Sequence, residues 1–135
     1  MTAAFKVGDQ ANITKTFTVE DVNHYASLSE DFNPIHINKE AAEASIFGAQ
    51  VVHGMLVASL ISGLLGNHLP GSGSIYLGQD LAFKAPLYIG DEVTAIVEVI
   101  DIREDKPIAK LRTYVVNRKG VVVVDGVAIV KYVLM

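Results

Sequence analysis

The chain has no cysteine, which excludes disulfides and thiolate chemistry and leaves the redox compartment open. Charge is also scarce, at 19% of residues and a net −4. Basic residues nowhere run longer than Arg118-Lys119, so the electrostatic footprint of a nucleic-acid binder is missing. No repeat, low-complexity tract or linker divides the 135 residues, and one domain, 1–135, is expected, large enough to bury a core. Long apolar runs are lacking too. The most apolar segment, 54–66, is interrupted by Ser59 and Ser62 and falls short of the roughly 18–20 residues of a membrane span. Residues 1–8 have no signal-peptide core. A cytoplasmic protein that enters no membrane is the expectation.

What is abundant is apolar surface. Half of the residues are hydrophobic, more than a chain of this size hides alone, and a homodimer interface would cover the surplus. Ala11 to Phe17 alternates as a short strand. Thr18 caps a helix from Val19, with Glu20 and Asp21 in the first turn, where acids are favoured. Its apolar face is Val22, Tyr25, Ala26 and Leu28, and it ends near Ser29. Asn38 caps a brief helix, Lys39 to Ala44. The segment Gly54 to Asn67 is a helix apolar nearly all round, hence buried on most sides, and Pro70-Gly71-Ser72-Gly73 breaks the chain after it. Ser74 to Lys84, Val93 to Arg103, Ile108 to Val116 and Val121 to Val133 read as strands, with turns at Lys106-Pro107 and Asn117 to Gly120. One buried helix followed by an antiparallel meander makes an α+β fold.

The most informative stretch is Leu28-Ser29-Glu30-Asp31-Phe32-Asn33-Pro34-Ile35-His36. Proline fixes its own φ and pushes the preceding residue away from the helical region, so a stiff, non-repetitive turn is expected to present Asp31 and His36. A carboxylate and a neutral imidazole aimed at one water form a proton-transfer site, since each accepts a proton and either returns it. Asp31 alone is better explained as an Asp closing a turn through its own side chain, and His36 alone as a turn or core histidine.

Ser29, Asp31, Asn33, Pro34 and His36 resemble the signature of the MaoC-like (R)-specific enoyl-CoA hydratases, and Val51-Val52-His53-Gly54-Met55-Leu56 resembles the start of that family's central helix. The likeness continues through Ser74-Ile75-Tyr76-Leu77-Gly78-Gln79 and Arg103-Glu104-Asp105-Lys106-Pro107. It is nearest to the small single-domain members that supply (R)-3-hydroxyacyl-CoA for polyhydroxyalkanoate. Glu30 stands where many relatives have Gly, and Asn38 where many have an acid. The resemblance implies a hotdog fold, a curved antiparallel sheet wrapped around the long helix.

It also implies roles. Asp31 and His36 are the catalytic pair, and Asn33 supports their loop. The backbone amide of Gly54, at the positive end of a helix, serves as the oxyanion donor; Gly there for tight packing alone is the competing explanation. Ser29 and Ser62 are candidate hydrogen-bond donors to the Asp31 carboxylate, although Ser62 could bond its own helix backbone equally well. Leu64 and Leu65 are candidates for the acyl pocket. His53 is expected to be structural, and His24 and His68 to lie on the surface. Lys84, Arg103, Lys110 and Arg112 are possible partners for CoA phosphates or merely solvated strand ends. The histidines lack ligand spacing and no acids cluster with them, so no metal and no cofactor are expected. The substrate is an acyl-CoA. The rival activities are a hotdog thioesterase, a 3-hydroxyacyl-[acyl carrier protein] dehydratase and a non-catalytic acyl-CoA binding protein.

Overall fold

The computed structural model describes residues 3–134. The chain runs β1 (Gln10–Thr16), α1 (Val19–Ser29), α2 (Pro34–Ile37), α3 (Lys39–Glu43), α4 (Gly54–Asn67), β2 (Ile75–Gln79), β3 (Ala82–Phe83), β4 (Glu92–Ile102), β5 (Ile108–Asn117) and β6 (Val122–Lys131). All strands join one antiparallel sheet in the order β1-β4-β5-β6-β2, with β3 also on β6. The β4-β5-β6 meander forms its centre. Alternate residues of these strands point inward, as the pleat requires: Val93, Ala95, Val97 and Val99 from β4 and Ala109, Leu111, Thr113 and Val115 from β5 are all buried.

Helix α4 packs against β1, β2, β4, β5 and β6, so the sheet wraps it. Its buried residues, Val57, Ala58, Ile61, Leu64 and Leu65, recur at helical spacing on one face. Burying a side chain such as Ile61 contributes about 1.5–3 kcal/mol. The expectation of burial on most sides needs correction. Met55, Ser59, Ser62, Gly63 and Gly66 are exposed, so one side of α4 lies open even though the helix carries no charge.

Two other readings change. The span from Ser74 to Lys84 is not one strand: β2 and β3 are separate, both paired to β6, with a register shift between Tyr76 and Gly78. The period-two residues Ile75, Leu77 and Phe83 are each about half exposed rather than directed into the core. Nor is the segment after Asn33 a non-repetitive turn. Asn33 caps the one-turn helix α2 with Pro34 in its first turn, where the missing proline N–H has no intrahelical acceptor to lose. Among the described residues no helix is long and apolar enough to cross a membrane.

Candidate active site

Helix α1 opens with a full capping box between Thr18 and Asp21 and ends on Glu30, whose φ of 65° is left-handed. That reversal turns the chain toward α2. Ser29 Oγ donates to the carbonyl of Tyr25 at 2.7 Å and accepts from the Asp31 amide at 3.2 Å, so it braces the Asp31 backbone rather than the carboxylate. Asp31 Oδ1 accepts from the Asn33 amide at 3.1 Å, and Asn33 Oδ1 from the Ile35 amide at 3.3 Å. The turn-closing role of Asp31 is therefore real, and it fixes one carboxylate oxygen while leaving the other free.

His36 is 8% exposed. Its Nδ1 lies 2.7 Å from the Val51 carbonyl. A carbonyl only accepts, so Nδ1 carries the proton and Nε2 holds the free lone pair of the neutral ring. The Val51 amide returns a bond to the Ile35 carbonyl at 3.2 Å, tying α2 to the chain entering α4. A carboxylate oxygen of Asp31 and one ring nitrogen each from His36 and His53 all lie within 4.8 Å of one another. One water bridges such a gap with two bonds of ordinary length, about 2.8 Å each.

These groups sit on the wall of a cavity of about 670 Å³ whose other lining is mainly apolar, including Tyr25, Phe47, Val57, Phe83 and Leu87. Gly54, the first residue of α4, also lines it. The Phe83 ring lies so close that a Cβ on Gly54 would stand 2.6 Å from its Cδ1, so close packing at this glycine is a fact whatever its amide does.

Other sequence candidates lie elsewhere. Ser62 is exposed and borders a second cavity of about 520 Å³ with Met55, Tyr76 and Leu77; within one copy of the chain it is not on the Asp31 cavity. Solvent therefore reaches its side of α4, and no buried partner is required. Leu64 is core and lines neither cavity, while Leu65 and Ser62 border a small void of about 100 Å³ against Val130. Lys84 is on the rim of the Asp31 cavity. Arg103 pairs with Asp105 through Nη2 at 2.5 Å, and Arg112 with Asp125 at 3.7 Å, so both guanidiniums already have acid partners.

Two residues escaped the sequence reading, Tyr25 and Phe83, which form cavity walls. His53, expected to be structural, is 2% exposed, stacks on His36 and bonds to the Asp31 carbonyl.

The MaoC like domain matches residues 4–120 of the chain. The (R)-specific enoyl-CoA hydratase of Aeromonas caviae is 53% identical over 128 residues, covering 95% of this chain and 96% of that protein. The mitochondrial 3-hydroxyacyl-[acyl-carrier-protein] dehydratase of Arabidopsis thaliana is 41% identical, covering 91% of this chain and 75% of that protein. Among solved structures, the (R)-hydratase from A. caviae involved in PHA biosynthesis has a TM-score of 0.96 at 52% identity, over 98% of this chain and 100% of that chain. The sheet wrapped around α4 is thus a hotdog fold. Because the match over residues 4–120 takes in the Asp31–His36 segment and the whole of α4, the chain belongs to the MaoC-like domain family.

Proposed function

We infer that this protein is a hydro-lyase that adds water to trans-2-enoyl-CoA and yields (R)-3-hydroxyacyl-CoA, the activity of its A. caviae relative, an enzyme involved in PHA biosynthesis. The observation that carries the mechanism is the Asp31 carboxylate and a His36 ring nitrogen within one water's reach on an apolar cavity, with Nε2 the nitrogen that the Val51 bond leaves free. The pair holds the attacking water. It takes one proton from that water as hydroxide adds to C3, and returns one proton to C2, so the site ends as it began. Negative charge develops on the thioester oxygen in between. The Gly54 amide, at the start of α4 where helix amides lack internal acceptors, donates to that oxygen and gains strength as the charge grows. Asn33 caps α2 and Ser29 braces the Asp31 backbone, so both act as supports.

No cofactor is needed for these steps. The nearness of Asp31, His36 and His53 raises the question of a metal, and the ring geometry argues against one. A metal binds an imidazole in the ring plane, and two rings stacked 3.9 Å apart at 25° keep their lone pairs in separate, nearly parallel planes. They do not converge on a point about 2.0–2.1 Å from both.

The test uses crotonyl-CoA, with enoyl-thioester absorbance and released thiol followed together. Loss of absorbance without free thiol, unchanged by EDTA, is the expected result; free thiol in step with the loss would make the protein a thioesterase. Handedness is read by coupling to enantiomer-specific dehydrogenases, and oxidation only by the (S)-specific enzyme would overturn the assignment. The 41% identity to an acyl-carrier-protein dehydratase favours one second reading, the reverse reaction on a protein-bound thioester. A preference of more than about tenfold in kcat/KM for the carrier-protein substrate, about 1.4 kcal/mol in transition-state binding, would establish it.

We further propose a cytoplasmic homodimer. Strand β2 ends the sheet, and an edge strand offers unpaired backbone groups to a partner. Its Ile75, Tyr76 and Leu77 are exposed beside the open side of α4. A second copy laid on β2 covers this apolar surface. Sedimentation should give a dimer at micromolar concentration, with turnover lost on dilution to monomer; a stable, active monomer would refute it.

A further inference from the structure

His53 is neither part of the proton-transfer pair nor the amide donor, yet it touches all three groups. Its ring centroid is 3.9 Å from that of His36 at an interplanar angle of 25°, and the Tyr25 ring stands edge-on to it at 4.8 Å and 63°. Its Nε2 donates to the Asp31 carbonyl at 3.0 Å. It is the N-cap residue of α4, immediately before Gly54. Its Nδ1 is buried and has no hydrogen-bond partner among the described residues. Buried polar atoms are nearly always paired, and an exception calls for a reason.

We propose that His53 is a positioning residue that holds Asp31 and His36 in register with the Gly54 amide, through its N–H on the Asp31 carbonyl and its ring face on His36. The bond from His36 Nδ1 to Val51 fixes one atom of that ring and leaves its plane free to tilt. The His53 face sets the plane, and the two constraints together aim the Nε2 lone pair. The Asp31 loop is otherwise held by its own short-range bonds to Ser29 and Asn33; His53 ties it to α4. The titratable groups facing His53 are Tyr25 on α1, Asp31 in the following loop and His36 on α2. Burial, the largest cause, holds the His53 pKa below the ordinary imidazole value, and a charge on His36 lowers it further, against the opposing pull of Asp31.

This inference rests on Asp31 and His36 being the catalytic pair. Two variants split its two contacts: His53→Phe keeps a ring against His36 and loses the donor, whereas His53→Gln keeps a donor and loses the ring. Each is expected to lower kcat about ten- to a hundredfold, the scale of a misplacement near 1 Å, with KM changed less than about threefold and circular dichroism unaltered. In a His36→Ala background either should add less than about a threefold loss, because groups acting as a unit are non-additive. Wild-type kcat in either variant overturns the proposal, as does a full-sized further loss in the His36→Ala background. If His53→Phe fails to fold, His53→Gln decides alone. A nearly active His36→Ala variant would instead sink the catalytic assignment, so the two failures are told apart.

Discussion

Asp31→Asn is expected to lower kcat by at least ~10³, within the range of positioned acid–base groups, without loosening the loop that carries it. The amide oxygen of Asn can still accept from the Asn33 amide, as Asp31 Oδ1 does at 3.1 Å. The turn therefore survives while the ability to take and return a proton is lost. This substitution separates the structural role of Asp31 from the chemical one. His36→Ala should cost as much, because it removes the only ring nitrogen of that residue left free by Val51. The double variant should be little worse than the poorer single, since neither group transfers protons usefully alone. Steady-state hydration rates, with circular dichroism as the folding control, make the measurement. Retention of more than about a tenth of the activity by Asp31→Asn would leave only the turn-closing role, far below the ~10²-fold floor for acid–base catalysis.

Gly54→Ala is expected to lower kcat/KM by about 10²-fold, the usual effect of losing one oxyanion donor. The new methyl would stand 2.6 and 2.8 Å from Phe83 Cδ1 and Cε1, so something must move. Phe83 is 53% exposed, and its ring can turn away, which should keep the loss of stability small. Two explanations of the activity loss then compete: the displaced ring obstructs the cavity, or the methyl itself keeps the thioester oxygen from the amide. Adding Phe83→Ala distinguishes them. Recovery of wild-type kcat/KM in the double variant would mean that Gly54 serves packing alone. No recovery is the expected outcome.

How far these features can be read from residues depends on how local their causes are. The capping box at Thr18, the cap at Asn38 and the extent of α4 depend on neighbours within a turn, and they were legible. The central strands were legible because Val and Ile alternate there with little ambiguity. Pairing was less so: nothing local says that β1 lies against β4, since that contact crosses about eighty residues. Proline was misjudged at Pro34, where the rule against helix interiors does not apply to a first turn.

The proximity of Asp31 and His36 was legible because five positions separate them. Ser62, Leu64 and Leu65 were assigned from a helix that looked apolar on every side, and the sheet covers only part of it. His53 reaches the site through its contact with His36 on α2, and Phe83, on β3, through its contact with Gly54 at the start of α4. No spacing in the chain encodes those.

Glu30 carries a different kind of consequence. It holds a left-handed backbone at φ 65°, where a side chain costs about 1–2 kcal/mol relative to the ordinary regions. Directly after it comes Asp31. Part of the domain's folding free energy is therefore spent on the peptide that precedes the catalytic carboxylate. Glycine adopts the same φ without that cost, so the strain belongs to the Glu30 side chain and not to the turn, and heat tolerance at this position can rise with the aim of Asp31 kept.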